Sequence, residues 1–290
     1  EKECGWMYTT LHQPADEQIE SASKLLKTGQ KLVDLETHLR DANISYGRIN
    51  YTVWSDVFRC LACDREVVFW NEAVDKVAGK ILDKFHCPHC DAELTKKCIE
   101  RVWVQKYDGA ISETINQAKQ VPVLINYTFP KKRYEKEPDI FDTTLIENIE
   151  YLKISHVFPT KKLPEGYNTE QPRKSHGITH VHHFYTNRNM NCVASFVAKV
   201  KNKRLIAAIT GVNSDVSRMA RVKIGYYFKG GGGPFIPGLS GTLYVPSLSV
   251  EKSVLFAIAN RITTFARSLP NFYSNNTLLT NNCGSNLISC

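Results

Sequence analysis

The chain has 290 residues, of which 42% are hydrophobic, and its 37 basic and 29 acidic side chains leave a net charge of +8. That apolar content predicts a sizeable core in about two domains with a small metal module beside them, and excludes a disordered tail or a disulfide-stapled miniprotein. No apolar run is long enough to span a membrane as a helix, and Glu1-Lys2-Glu3-Cys4 leads into no signal segment, so nine cysteines fit a reducing, cytoplasmic setting.

Residues 16–40 read as a helix, with Ile19, Ala22, Leu25, Leu26, Leu32, Val33, Leu35 and Leu39 at near-helical spacing and Gly29 as an interruption. They make residues 1–46 an N-terminal helical segment. Residues 47–107 carry the densest chemistry. Ile49-Asn50-Tyr51-Thr52-Val53-Trp54 is a strand of β-branched and aromatic residues. After it come Cys60-Leu61-Ala62-Cys63 and Cys87-Pro88-His89-Cys90, with 23 residues between them. Two C-x2-C turns deliver four soft ligands, the set that holds a structural zinc at tetrahedral corners. Between them, 67–70 and 81–85 read as strands, and 99–104 alternates with period two and leaves the module as another. The expectation is a zinc ribbon over 47–107 held by Cys60, Cys63, Cys87 and Cys90. Two chance pairs of free thiols are the competing reading, with Cys98 as an alternative ligand.

Residues 108–185 follow as a third region. The apolar strand 121–125 runs into Tyr127, Phe129, Lys131, Lys132, Arg133 and Tyr134. Interleaved aromatics and cations stack on bases and neutralise phosphates, although an ordinary basic turn has the same composition. Residues 139–152 read as a helix and 159–175 as a loop. His176, His180, His182 and His183 then fall within eight positions. On a strand, His180 and His182 share a face, but no carboxylate or cysteine adjoins them to complete a metal site. Nucleic-acid contacts by His180, His182 and His183, or hydrogen-bonded packing, are the favoured roles.

Residues 186–290 form a basic α/β part that opens on a helix from Thr186. Residues 186–229 hold nine basic side chains against the single acid Asp215, which sums to +8, while 1–185 sum to −2 and 230–290 to +2. Such concentration predicts a surface facing phosphates of a polyanion, with Arg188, Arg218, Arg221 and Lys223 among the contacts; a solvated face made basic by chance is the competing reading. Gly230–Pro234 reads as a flexible loop without the Gly-Lys-Ser/Thr of a phosphate loop. A short strand follows at 243–246, and Ser249 caps a helix from Val250 to Ser268.

Several strings, in this order, resemble one family: Glu3-Cys4-Gly5-Trp6-Met7-Tyr8, residues 49–58, the two cysteine pairs, Gln117–Val123, Lys132–Lys136, Gly177–Thr186 and Leu239–Lys252. The chain is similar to the large bacterial and archaeal DNA methylases with an internal zinc ribbon, usually adenine-specific. The resemblance covers nearly the whole chain and is weakest over 9–46. It implies methyl transfer from S-adenosylmethionine to the exocyclic amine of a flipped base. It also implies double-stranded DNA as the partner, 108–185 as the target-recognition region, and a mixed α+β and α/β fold, the ribbon sitting beside part of a Rossmann-like methyltransferase sheet. The cofactor turn (Asp-Pro-Phe-x-Gly-x-Gly) and the base loop (Asp/Asn-Pro-Pro-Tyr/Phe) of that family do not occur in this sequence. The resemblance therefore implies an interior segment, inactive alone, with S-adenosylmethionine bound only in the complete enzyme and the other methyltransferase segments as partners. The alternative is a zinc-ribbon interaction module that assembles a modification or defence complex.

Overall fold

The structure, a computed structural model, describes residues 2–27, 32–230, 235–236, 238–239 and 241–276. A 3-10 turn at Gly5–Tyr8 leads into β1 (Thr9–Leu11), α1 (Asp16–Lys27), a second such turn at Leu32–Asp34 and α2 (Leu35–Asp41). The leading helical pattern is thus two helices; Gly29, the expected break, lies outside the described residues. The strand expected at 49–54 is the middle of β2 (Tyr46–Cys60), whose 15 residues span about 50 Å. Then come β3 (Glu66–Val68), α3 (Phe69–Ala73), β4 (Val74–Asp75), β5 (Lys80–Ile81), β6 (Phe85–His86), β7 (Glu93–Leu94) and β8 (Ile99–Arg101). The chain returns through β9 (Trp103–Asp108), β10 (Glu113–Ala118), β11 (Gln120–Phe129) and β12 (Lys132–Lys136). Helices follow: α4 (Ile140–Glu150), α5 (Tyr167–His176), a 3-10 turn at Val181–Phe184, α6 (Asn187–Lys199) and α7 (Lys203–Thr210). The described part ends with β13 (Arg221–Val222), α8 (Ile224–Lys229), β14 (Phe235–Ile236), β15 (Leu248–Lys252) and α9 (Val254–Asn276).

The main sheet runs β12-β11-β2-β15-β13-β14, with β1, β3 and β8 also paired to β2. β2 changes neighbours along its length. Its first part lies between β11, facing residues 48–56, and β15, facing 51–55. Its second part lies between β3 and β8, which face 57–59 and 58–60. Backbone bonds from Val57 N–H to Lys119 O (3.0 Å) and from Val102 N–H to Val57 O (2.9 Å) make the handover. A strand covered on both faces and both edges has to be almost wholly buried, and β2 is. One hydrophobic cluster joins Ile49, Ile125, Tyr127 and Leu11 to α1, α4, α6 and α9. A second joins Val53, Phe58 and Val250 to Phe69, Trp70, Phe85, Cys60 and Cys87.

The chain is a mixed α/β protein, as expected, but every strand pair among the described residues is antiparallel. A doubly wound sheet needs parallel neighbours joined by helical crossovers, and those residues contain none. Other expectations are corrected locally. Phe69 and Trp70 start α3 rather than continuing a strand, and both are buried in the second cluster. The loop expected at 159–175 closes into α5, whose Pro172 sits inside the helix and whose end is Gly177 at φ +69°. A Cβ at Gly177 would meet the Asn116 carbonyl oxygen at 1.9 Å, so glycine is required there on both counts. Residues 243–246 are irregular; the strand is β15, and Ser249 lies within it. The final helix begins at Val254, where the Ser253 hydroxyl accepts from Phe256 N–H at 3.3 Å. The glycines of the expected flexible loop at 231–233 fall outside the described residues. No helix among the described residues is long and apolar enough to cross a membrane.

Candidate metal centre

The two cysteine turns are one structure made twice. Cys60 N–H donates to Arg65 O (3.0 Å) and Asp64 N–H to Cys60 O (2.8 Å); Cys87 N–H donates to Ala92 O (3.0 Å) and Asp91 N–H to Cys87 O (2.9 Å). The residue after each second cysteine is an aspartate in the left-handed region, Asp64 at φ 59° and Asp91 at φ 60°. Aspartate tolerates that conformation better than most side chains, so the repeated unit is Cys-x-x-Cys-Asp, a signal present in the sequence beyond the cysteines themselves. β2 and β3 flank the first turn, β6 and β7 the second.

Cys60 Sγ lies 3.8 Å from Cys90 Sγ, and Cys63 Sγ lies 3.7 Å from Cys87 Sγ. All four sulfurs lie within 4.8 Å of one another. A zinc–sulfur bond of about 2.3 Å sets tetrahedral sulfurs about 3.8 Å apart. Cys60 and Cys87 are buried, Cys63 is half-buried and Cys90 exposed, so the cluster sits at the edge of the second core. Burial alone raises the Cys87 thiol, but the His89 and Cys90 N–H groups and the neighbouring sulfurs outweigh it and bring the pKa to about 7. The Ala92 N–H favours the Cys90 thiolate, yet desolvation and the three neighbouring sulfurs prevail and push it up to about 12. Four thiols this close shed all their protons only to a shared cation. The four cysteines can therefore hold a metal ion such as zinc. Cys98, the alternative ligand, is exposed, takes a hydrogen bond from the Thr95 hydroxyl and is not in the cluster.

The residues expected to meet DNA scatter. Lys131, Lys132 and Arg133 are exposed at the turn between β11 and β12, with Tyr134 half-buried behind them. Arg133 also lies over the Phe256 ring, 5.7 Å from its centre. Arg188 does not belong to any surface: it is 4% exposed and grips Glu251 with two guanidinium nitrogens. Trp54 Nε1 donates to the same carboxylate at 2.9 Å, and Thr52 accepts from Arg188 at 3.2 Å. Arg218 turns inward as well, donating to Gln120 Oε1 and to the His183 carbonyl, and lines a cleft of about 200 Å3 with Trp54, Gln117 and Tyr185. Lys199 pairs with Glu3. The charge concentrated in 186–229 along the chain is thus not one patch in space, because acids from distant segments take up part of it. Arg221 is half-buried, its Nε without a partner among the described residues, and Lys223 lies over the Tyr226 ring, 3.0 Å from its centre.

The histidines are not on a strand. His180 makes one isolated bridge to Lys162, and His182 and His183 lie in the 3-10 turn. The carboxylate absent from the neighbouring sequence arrives from β9: Asp108 Oδ2 is 2.7 Å from His182 Nε2 and 2.8 Å from His183 Nε2. Burial lowers the pKa of His183 to about 4 despite that contact. Burial raises the Asp108 carboxyl, but the two imidazoles outweigh it and hold it at about 2. His176 belongs to another centre. Its Nε2 lies 3.2 Å from Asp56 Oδ1, both side chains fully buried, and Asp56 also accepts from Arg101 at 2.9 Å and Gln120 at 2.8 Å. Burial keeps His176 below the usual imidazole range, whereas Asp56, which burial would raise, is held below the usual carboxylate range by His176, Arg101 and Gln120. No family model, no curated protein and no solved structure matches the chain.

Proposed function

We propose that the chain is a zinc-braced, DNA-binding segment of an S-adenosylmethionine-dependent DNA amino-methyltransferase, adenine-specific by the resemblance of its ordered strings. The observation that carries the reading is the arrangement of Cys60, Cys63, Cys87 and Cys90 at tetrahedral sulfur separations on the end of β2. Four thiolates fill every position of a tetrahedral zinc, leaving none for water or substrate, so the ion braces a zinc-ribbon-like module and performs no chemistry. The exposed Lys131-Lys132-Arg133 turn is the phosphate contact, with Tyr134 behind it. Methyl transfer belongs to cofactor and base-binding motifs that this sequence lacks.

Duplex DNA titrated at several salt concentrations tests the reading. Binding is expected to weaken steeply with salt, and charge reversal at Lys131, Lys132 and Arg133 is expected to weaken it on all sequences and lower the salt slope by about one per lost contact. No binding, or binding indifferent to salt, overturns it. A second reading, an interaction module assembling a modification or defence complex, is favoured by the internal pairing of Arg188 and Lys199. It predicts association with methylase or defence subunits that survives the same charge reversals.

A further inference from the structure

Asp108, His182 and His183 carry more than packing requires. The Asp108 carboxylate is held at the end of β9 by the Ala110 N–H on Oδ1, at 2.9 Å, so Oδ2 is left facing the rings. Both imidazoles bring Nε2 to that one oxygen. The 3-10 turn that presents them is anchored on either side, by Val181 N–H to Lys161 O at 3.0 Å and by Arg218 N–H to Phe184 O at 2.7 Å. The three side chains are 3–10% exposed, so the convergence is shielded from bulk water.

Adjacent N and O ligands around a metal at about 2.1 Å stand about 3.0 Å apart in an octahedron and about 3.4 Å in a tetrahedron. The nitrogen–oxygen separations of 2.7 and 2.8 Å need to open by only a few tenths of an ångström for an octahedral ion, and by about twice that for a tetrahedral one. Little resists that opening on the His182 side, because its Nδ1 is buried without a hydrogen-bond partner among the described residues. A third imidazole stands beside the pair. The His180 ring centre is 5.1 Å from that of His183, and its Nδ1 lies 2.9 Å from the Thr179 hydroxyl. A Thr179 oxygen that accepts from Nδ1–H leaves the His180 Nε2 lone pair available, the arrangement that prepares a histidine for a metal.

We propose that Asp108, His182 and His183 form a second metal site for a divalent first-row transition ion, with His180 at its margin. It differs in kind from the thiolate cluster. Two imidazoles and one carboxylate suit a borderline ion and leave coordination positions free, whereas four thiolates leave none. The site does not depend on the methyltransferase reading.

Cobalt(II) distinguishes the two sites in the full-length chain, since only the thiolate site gives intense sulfur-to-cobalt charge-transfer absorption. At low micromolar cobalt, two ions per chain are expected, one of them without that absorption. Asp108→Asn retains an oxygen to accept from both rings, and is expected to bind one ion with the charge-transfer band unchanged; His182→Gln with His183→Gln should match it. The retained band reports that the rest of the molecule is folded. A wild-type chain that binds one ion at excess cobalt overturns the proposal whatever the variants do. So does a second ion that persists in both variants.

Discussion

The far end and the middle of β2 hold their polar groups in opposite ways. At the far end, each pair of cysteines sits within four consecutive residues, and one turn, used twice, delivers both members. In the middle of the strand, Asp56 collects Arg101, Gln120 and His176 from 45, 64 and 120 residues away, and Trp54 reaches Glu251 across 197. One centre is local and can close over a cation; the other is assembled by the topology and neutralises its charges internally. A residue's chemical type therefore indicates its role where a turn dictates its neighbours, and fails to where the sheet does.

Removing the metal is expected to have the largest effect. A structural tetrathiolate site contributes on the order of 10 kcal/mol to folding, against small intrinsic cores. Cys87→Ser should abolish metal binding and strip amide-exchange protection from 57–102, the stretch between β2's second part and β8. Phe69, Phe85 and Leu94 pack against Cys87 in the second core, so loss of order should spread into it. If exchange protection at 48–55 collapses in the same step, the two regions are one cooperative unit and the contrast between them is geometric rather than energetic.

Next comes the buried pair. Glu251→Gln leaves the Arg188 guanidinium, 4% exposed, without its counter-charge, and removing one partner of a buried ion pair costs about 3–5 kcal/mol. Urea denaturation should show that loss, and the double change Arg188→Met with Glu251→Met should recover most of it. A change below about 1 kcal/mol for Glu251→Gln would mean that water reaches the pair.

What was legible in the sequence follows the same division. The cysteine turns, β2, the strand of β11, and the helices at 140–150 and 187–199 rest on spacing and periodicity over a few residues, and they stand in the structure. The helix expected from Thr186 is α6, and the structure makes Thr186 its cap, accepting from Asn189 N–H at 3.2 Å. What failed depends on partners far along the chain. Arg188 reads as a surface cation until Glu251 is beside it. The histidines read as a strand without a carboxylate until β9 brings Asp108. Residues 248–252 carry a cap-like serine, yet β2 lies alongside and recruits them into the sheet before the helix begins.

The His176–Asp56 contact separates the two centres by pH. Burial depresses the His176 pKa below its ordinary 6.5, so the unfolded chain takes up that proton first. Its contribution to stability is complete above pH 6.5 and is lost as pH falls from there through the depressed folded value. Asp56, also depressed, adds a loss only below its unfolded 3.8. Denaturation midpoints across pH 7 to 4 should therefore fall through His176 and, with the same sign, through His183, which burial holds at about 4. His176→Gln should be less stable at pH 7 yet show a flatter decline; an unchanged slope would leave the acid sensitivity to His183.

The smallest expected effect sharpens the comparison most directly, because it sets like charges in unlike places. Lys132 is exposed at the start of β12 and forms no ion pair among the described residues, whereas Arg188 is enclosed with Glu251. Lys132→Glu is expected to change stability by no more than about 0.5 kcal/mol, as surface substitutions do. Arg188→Met alone, which leaves Glu251 buried and unpaired, should cost several times that, on the order of 3 kcal/mol. The cost follows enclosure, not charge: in water the lost Coulomb term is small, and in the sheet's interior the hydrogen bonds from Trp54 and Thr186 alone are left to compensate the carboxylate. Thermal melts of the two variants side by side decide it. Equal shifts would mean that Arg188 is hydrated like Lys132, and that the basic run 186–229 is a surface after all.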